Sequence, residues 1–138
     1  MSQRPFKILG IEHVGIAAES LDGLSTIFSD ILGLEYSGSE EVIDQQVRTD
    51  IYQTGNGKLE FLKATHPNSS IARFIEKKGP GIHHISLLVD NLRAALDYLK
   101  DRGINLIDES PRLGAEGLNI AFIHPKSTGG ILIELCEK

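Results

Sequence analysis

The sequence predicts an α+β fold built from two paired β-α-β-β-β modules, and an internal repeat is the main reason. Residues 13–22 read HVGIAAESLD and residues 84–92 read HISLLVDNL, so a histidine twice opens an apolar stretch that leads into a helical segment. The halves also close alike, because residues 58–62 (KLEFL) and 131–135 (ILIEL) are apolar segments that each contain one glutamate. Two copies are too few for a stacked repeat protein, so we expect the halves to pair within one domain.

The first module is predicted over about residues 8–64. Alternating apolar residues over 8–18 indicate a strand, and Ser20 is a favourable N-cap for the segment that follows it. Apolar residues then recur at helical spacing from Leu21 to Leu32, which predicts a helix. A Gly-Asn-Gly turn later in this half is typical of a hairpin. The remaining strands are expected at residues 34–42, 46–53 and 58–63.

The second module is predicted over about residues 80–137, so that residues 1–138 form a single domain. A polar connection and a short helix near Ile71 lead into it. Helical spacing from Leu92 predicts a second amphipathic helix, and Gly103 is expected to end it. The strands of this module are expected at residues 82–89, 104–107, 118–124 and 131–136.

Composition excludes several classes of function. The chain has 138 residues, a net charge of −5 and an isoelectric point near 5.5, so it offers no broad basic surface for a nucleic acid. It lacks a run of about 18 apolar residues, and residues 1–7 lack the apolar segment of a signal peptide, so we expect no membrane partner. A single cysteine, Cys136, cannot form an internal disulfide, which fits a cytoplasmic protein.

Four residues of the repeat predict a metal site. A single histidine on an apolar strand is more often structural than a ligand, but His13 and His84 occupy equivalent positions, as do Glu60 and Glu134. A buried carboxylate is costly without a counter-charge, so glutamates within apolar strands favour a bound cation. The alternative is that both glutamates point to solvent from a half-exposed sheet. Two imidazoles and two carboxylates suit Zn, Co, Ni, Mn or Fe in open coordination.

His83 precedes His84 and has to be distinguished from it. The pattern His-[Val/Ile]-x-[Ile/Leu] fits residues 84–87 as it fits residues 13–16. Successive side chains of a strand point to opposite faces of the sheet. We therefore assign His84 to the metal and give His83 a packing or supporting role.

With these features, the chain resembles the vicinal oxygen chelate superfamily, to which glyoxalase I belongs. The resemblance implies a glyoxalase-like fold, in which paired modules form a curved mixed sheet around a metal cleft. Within the superfamily the chain most closely resembles the methylmalonyl-CoA epimerase family. The segments that carry this resemblance are residues 11–17 (IEHVGIA), 70–74 (SIARF), 78–85 (KGPGIHHI), 111–115 (PRLGA), 122–126 (FIHPK) and 129–135 (GGILIEL).

The family resemblance implies a reaction and a set of ligands. The reaction is the interconversion of (R)- and (S)-methylmalonyl-CoA through an enolate that a divalent metal stabilises. The implied metal ligands are His13, His84 and Glu134, with Glu60 at a position that is Gln or Glu in the family. Homodimers are also expected from the resemblance.

The catalytic bases are the point at which this chain departs from the family pattern. Epimerisation needs one base on each face of the reacting carbon, and the resemblance implies Asp44 on one face and Glu134 on the other. The family has glutamate in a Glu-Gln-x-Val context, whereas residues 44–47 read DQQV, so this carboxylate is one methylene shorter. Glu41 is the alternative base.

An acyl-CoA substrate carries phosphates, so cationic side chains near the mouth of the site are candidate contacts. These candidates are Arg73, Arg112 and Lys126, of which Lys126 is favoured because it stands between Pro125 and a Gly-Gly turn. Two other functions stay open for the same fold. One is an isomerase of the glyoxalase I (lactoylglutathione lyase) type, and the other is a non-catalytic protein that binds a small ligand.

Overall fold

The computed structural model describes residues 3–138, which form two compact units. The first unit contains residues 13–83, and the second contains the described residues up to 12 together with residues 84–138. Strand β1 (Ile8–Ala17) is shared, because its first five residues belong to the second unit and the rest to the first. Each unit combines a mixed β-sheet with a helix, so the α+β prediction is confirmed.

The first unit has the predicted β-α-β-β-β order, followed by one further helix. After β1 come a π-helical turn (Thr26–Ile31), β2 (Glu35–Val42), β3 (Val47–Gln53), β4 (Lys58–Ala64) and α1 (Ser70–Lys78). The strand order is β2-β3-β4-β1, and β4 and β1 run parallel whereas the other neighbours are antiparallel. The first and last strands of the motif are therefore direct neighbours, which decides where the site residues lie.

The helix predicted from Leu21 to Leu32 is shorter than expected. The Ser20 hydroxyl accepts a hydrogen bond from the Asp22 backbone N–H at 3.1 Å, which stabilises a turn rather than the first turn of a helix. Gly23 then adopts a left-handed φ of 81°, so helical backbone begins only after it. Phe28 of the π-helical turn packs on Phe61 with ring centroids 4.8 Å apart. The apolar spacing predicted the buried side only in part, because Ile27, Ile31 and Leu32 are exposed.

The second unit repeats the order of the first. Strand β5 (Gly81–Val89), whose first three residues lie in the first unit, is followed by α2 (Leu92–Asp101), β6 (Arg112–Leu113), β7 (Asn119–Ile123) and β8 (Ile133–Glu137). The order of these strands is β5-β8-β7-β6, and β5 and β8 run parallel. The repeat in the sequence is thus a repeat of topology.

The prediction of a strand at residues 104–107 is wrong. Leu106 makes only an isolated bridge to Ile123, and the short strand β6 lies further along the chain. Asp108 explains the difference, because its carboxylate accepts the hydrogen bond of the Phe122 backbone N–H at 2.8 Å. A side-chain acceptor here takes the place of a backbone carbonyl in the ladder.

The main core of the second unit lies between α2 and its sheet. Asn91 caps the helix by accepting a hydrogen bond from the Ala94 backbone N–H at 3.0 Å. The helix then buries one stripe of residues against Phe6 and one side of β5, β7 and β8. The buried members of this core are Phe6, Val89, Leu92, Ala95, Leu96, Ala121, Ile123 and Leu135. No helix within residues 3–138 is long and apolar enough to span a bilayer.

Replacement of Leu96 by alanine tests this core. Leu96 is fully buried, so Leu96→Ala should lower the free energy of unfolding by about 2–5 kcal/mol through lost contacts and a residual cavity. Urea denaturation of the metal-free protein measures the change. Asp97→Ala, one residue away on the exposed side of the helix, is the control and should change little. A similar loss in both variants would contradict this account.

Candidate metal centre and active site

The first unit places His13 and Glu60 on the same side of its sheet, which we call the His13 face. In the parallel pair β1–β4, Gly15 lies opposite Glu60, and Gly15 follows His13 by two residues, so all three share a face. His13 Nδ1 lies 3.3 Å from Glu60 Oε2, and both side chains are buried. A parallel ladder and the two-residue period of a strand thus bring together residues that are far apart in sequence.

The second unit repeats this arrangement on what we call the His84 face. In the parallel pair β5–β8, Ser86 lies opposite Glu134, and Ser86 follows His84 by two residues. His84 Nε2 lies 3.8 Å from Glu134 Oε1, and both side chains are again buried. Phe122 of β7 lies opposite Glu134, and its ring meets the His84 ring edge-on at 5.6 Å.

The helical segments explain why the histidines and glutamates occupy these faces. In the second unit, α2 covers the opposite side of the sheet, where Val89 and Leu135 pack. In the first unit, Phe28 contacts Tyr52 and Phe61 on the side opposite the His13 face. Apolar residues that alternate with the site residues therefore pack against the helical segment on one side of each sheet. The His–Glu pair lies on the opposite side.

Each His–Glu pair is buried and offers donor atoms that metal ions bind. The exposed fractions are 5% for His13, 3% for Glu60, 5% for His84 and 4% for Glu134. Removing a carboxylate from water to this extent costs on the order of several kcal/mol unless a positive charge compensates it. Imidazole nitrogen and carboxylate oxygen are ligands of divalent transition metals. The residues present therefore fit a divalent metal ion.

Comparison with known proteins agrees with this geometry. The sequence profile of the glyoxalase, bleomycin resistance protein and dioxygenase superfamily matches residues 12–122. The mitochondrial methylmalonyl-CoA epimerase of Homo sapiens is 36% identical over 126 residues, which cover 91% of this chain and 72% of the human protein. The chain belongs to this superfamily and, within it, to the methylmalonyl-CoA epimerase family. The family predicted from the sequence is thereby confirmed.

Solved epimerase structures show the same fold. The crystal structure of methylmalonyl-CoA epimerase from Mycobacterium tuberculosis matches with a TM-score of 0.89 and 35% identity, covering 94% of this chain and 88% of that one. A methylmalonyl-CoA epimerase in complex with methylmalonyl-CoA and NH4+ matches with a TM-score of 0.89 and 29% identity, covering 96% of both chains. The predicted glyoxalase-like fold is confirmed, and membership of the superfamily together with the ligand chemistry supports a divalent metal.

Asp44, the predicted base of this epimerase-family chain, lies in a short 3-10 turn (Ile43–Gln45) between β2 and β3. Its side chain is exposed to solvent. The turn is anchored at its end, because the Gln45 carbonyl accepts a hydrogen bond from the Ser69 hydroxyl at 3.3 Å and the Gln46 carbonyl accepts one from the Thr65 N–H at 2.8 Å. The backbone that carries Asp44 is therefore fixed to α1 and β4, while its carboxylate stays open to a ligand.

Glu41, the alternative base, has a different role. It lies opposite Arg48 in the β2–β3 ladder, and the two side chains form an ion pair at 3.0 Å. Ile51 lies opposite Glu60 in the β3–β4 ladder, so it is on the His13 face. Thr49 is on the same face, because it precedes Ile51 by two residues. Arg48 lies between Val47 and Thr49 in the strand. Arg48 and Glu41 consequently point to the other side of the sheet. This orientation favours Asp44 over Glu41.

Arg112 is the cationic candidate with the clearest link to the site. Its Nε lies 3.2 Å from Asp108 Oδ1, and its guanidinium carbon lies 5.5 Å from the centre of the Phe122 ring. Phe122 in turn contacts His84, so Arg112 stands at the margin of the His84 face. The Asp108 carboxylate and the Phe122 ring hold the guanidinium in a fixed direction, whereas much of it stays exposed.

The other two cationic candidates are exposed. Lys126 lies in a 3-10 turn (Pro125–Ser127), which the His124 ring caps by accepting a hydrogen bond from the Lys126 backbone N–H at 3.0 Å. Arg73 lies on α1, where its guanidinium donates to the Asn68 carbonyl at 2.7 Å. Both stay predictions as substrate contacts.

Three buried residues, one next to His13 and two on the His84 face, were missed by the sequence argument. Glu12 is buried although it directly precedes His13, Ser86 lies opposite Glu134, and Phe122 contacts His84. The polar residue inside the apolar run of β5 was a usable signal for Ser86. Phe122 carried no such signal, because its position depends on the register of β7 against β8.

His83 has the packing role predicted for it. Its ring meets the Phe74 ring of α1 edge-on, with centroids 5.0 Å apart. Burial lowers the pKa of His83 from 6.5 to about 4, so the imidazole is neutral at pH 7. The unfolded chain binds a proton at His83 below pH 6.5, whereas the folded chain does so only near pH 4. The stability due to neutral His83 is complete above pH 6.5 and is lost as pH falls towards 4.

His83→Gln should therefore flatten the pH dependence of stability. Between pH 7 and pH 5 the wild-type free energy of unfolding should fall by roughly 2 kcal/mol more than that of the variant, since one pKa unit corresponds to about 1.4 kcal/mol. Urea denaturation with a chelator present measures both. His66→Gln, the same substitution at an exposed histidine, is the control for the change of residue type. Parallel pH profiles for wild type and His83→Gln would refute the assignment.

Proposed function

We propose that the protein is a metal-dependent epimerase that interconverts (R)- and (S)-methylmalonyl-CoA by proton exchange at C2. The observation that carries the proposal is the repeated, buried His–Glu pair, His13 with Glu60 and His84 with Glu134, in a chain of the epimerase family. A related epimerase has been crystallised with methylmalonyl-CoA, which supports an acyl-CoA substrate for this chain.

The proposed metal ligands are His13, Glu60, His84 and Glu134. Their burial and their donor atoms support this assignment, and the ion is Co, Zn, Ni or Mn. A bound divalent metal would supply a Lewis acid for the oxygen atoms of the substrate, which lowers the cost of the negative charge that develops when C2 loses its proton. Because these side chains come from strands rather than loops, they need little ordering when the ion binds.

The chain itself would move the proton. Asp44 would act as the base on one face of C2 and Glu134 on the other, so that one removes the proton and the other returns one to the opposite side. The exposed Asp44 carboxylate on an anchored turn supports the first assignment. Glu134 has two carboxylate oxygens, which supports a second role for it besides holding the metal.

The anionic parts of the substrate would be bound by Arg112, Lys126 and Arg73. The ion pair with Asp108 and the contact with Phe122 support Arg112 in particular, because they aim its charge along the margin of the His84 face. A guanidinium that is fixed before the ligand arrives loses less conformational entropy on binding than a freely rotating side chain.

The proposal extends to the setting of the enzyme. We propose that residues 1–138 act as one domain, that two chains associate as a homodimer and that the protein works in the cytoplasm. The chain has a single cysteine, Cys136, which is buried, and this supports a reducing compartment. Family resemblance supports the homodimer, which sedimentation at several protein concentrations tests directly.

Asp44→Asn tests the base. In deuterated water, the wild-type protein loaded with Co²⁺ should exchange the C2 proton of both epimers of methylmalonyl-CoA, as followed by proton NMR. The variant should lose epimerisation by a factor of about 10²–10⁴, the usual worth of a general base. It should still exchange the proton of the one epimer whose C–H bond faces Glu134.

Two controls accompany this experiment. Glu41→Gln removes a nearby carboxylate of strand β2 that points away from the His13 face, and this variant should epimerise at the wild-type rate. Chelation should stop exchange in the wild type, and added Co²⁺ should restore it. Wild-type rates with Asp44→Asn would exclude Asp44, and the absence of exchange with any divalent metal would overturn the epimerase proposal.

Arg112→Ala tests the binding of the anionic substrate. Loss of one charge-assisted contact should raise KM about tenfold, which corresponds to about 1.4 kcal/mol, and should leave kcat near its wild-type value. Arg93→Ala is the matched control, because Arg93 is an exposed arginine on α2, away from the His84 face. Equal KM values for the two variants would rule out a substrate contact by Arg112.

A further inference from the structure

Ser86 carries a buried hydroxyl that the fold itself does not use. The residue lies in β5, is fully buried, and its Oγ has no hydrogen-bond partner among residues 3–138. Burying a hydroxyl without a partner costs more free energy than a typical intramolecular hydrogen bond contributes. A cost of this size at a position where alanine would fit calls for a role that the hydroxyl has in another state of the protein.

The surroundings of Ser86 point to one residue. On the His84 face, the next residues along the same strands are Leu88 of β5 and Cys136 of β8, and both pack in an apolar cluster with Ile120 and Phe122. Glu134 is the acidic residue directly opposite Ser86 in the β5–β8 ladder. Neighbouring strands lie about 4.8 Å apart, so the side chains of opposed residues are within reach of each other.

The first unit shows that the repeat alone does not require this hydroxyl. The residue opposite Glu60 there is Gly15, which has no side chain. Both positions follow their histidine by two residues and face their glutamate across a parallel pair of strands. Of these two positions, only that of the second unit carries a hydroxyl group opposite the glutamate, and this glutamate is the one proposed to act both as ligand and as base.

We propose that Ser86 is a positioning residue for Glu134: its hydroxyl donates a hydrogen bond to one lone pair of the carboxylate oxygen that does not hold the metal, and the second lone pair of that oxygen remains available for the proton. This inference rests on the proposed metal site. Hydrogen bonds to the outer atoms of a ligand fix its orientation, and their loss typically weakens metal binding about 10–100-fold. The Ser86 hydroxyl, which has no partner within residues 3–138, is thus available to orient Glu134.

The test compares Ser86→Ala with Thr49→Val. Thr49 is the matched control, because its hydroxyl is also fully buried without a partner in the described part of the chain, but the residues opposite it are Leu62 and Glu40, neither of which is a proposed metal ligand. Titration of the metal-free proteins with Co²⁺, followed by visible absorption and calorimetry, gives the dissociation constants. Thermal unfolding with a chelator gives the Tm of each metal-free protein.

Ser86→Ala should raise the dissociation constant of Co²⁺ about 10–100-fold, and Thr49→Val should leave it unchanged. Neither variant should lower the metal-free Tm, since each removes a hydroxyl that makes no hydrogen bond there. Wild-type affinity of Ser86→Ala for Co²⁺ would overturn the inference, whether or not the metal-free Tm changes. A lower Tm in that case would show that the hydroxyl has a structural role. If wild type binds Co²⁺ and Ser86→Ala binds it equally, only this inference fails; if wild type binds none, the proposed metal site fails with it.

Discussion

The burial of two carboxylates beside two imidazoles is the constraint on which the rest of the structure depends. Glu60 and Glu134 are each almost completely removed from water, which an isolated ionised carboxylate does not tolerate. Each stands beside a histidine in its own unit, and neither arrangement is local in sequence. The fold must therefore bring the first and last strands of each unit together with a defined register, because a shift of one residue would turn the glutamate to the helical side of the sheet.

The β-α-β-β-β order meets this requirement through a parallel pair of strands. The first strand of each unit lies beside the last, and the glutamate stands opposite the residue that follows the histidine by two. The helical segments cover the opposite faces with apolar residues, which fixes the sheet without occupying the polar side. Stability and function are thus divided between the two faces of one sheet. The alternation of side chains along each strand makes this division possible.

Much of the fold and of the candidate site could be predicted because the chain repeats itself. His13 and His84, and likewise Glu60 and Glu134, were identified from matching contexts, and that comparison also separated His84 from His83, which packs on Phe74. The strand expected at residues 104–107 failed because the Asp108 side chain takes over a backbone hydrogen bond, a tertiary contact without a local signal. The helix after Ser20 began late because Gly23 adopts a left-handed backbone. The roles of Phe122 and Ser86 depend on strand register, which the sequence pattern alone does not give.

The departures from symmetry between the two units are as informative as the repeat. A metal site with two equal halves would suffice to hold an ion, but epimerisation treats the two faces of one carbon differently and needs a separate base for each. The first unit brings Asp44 on an anchored turn and leaves Gly15 beside its glutamate. The second unit brings Ser86 beside Glu134 and Arg112 over Phe122. In the proposed function, the common histidines and glutamates would hold the metal, and the residues that differ would give each unit its own part in moving the proton.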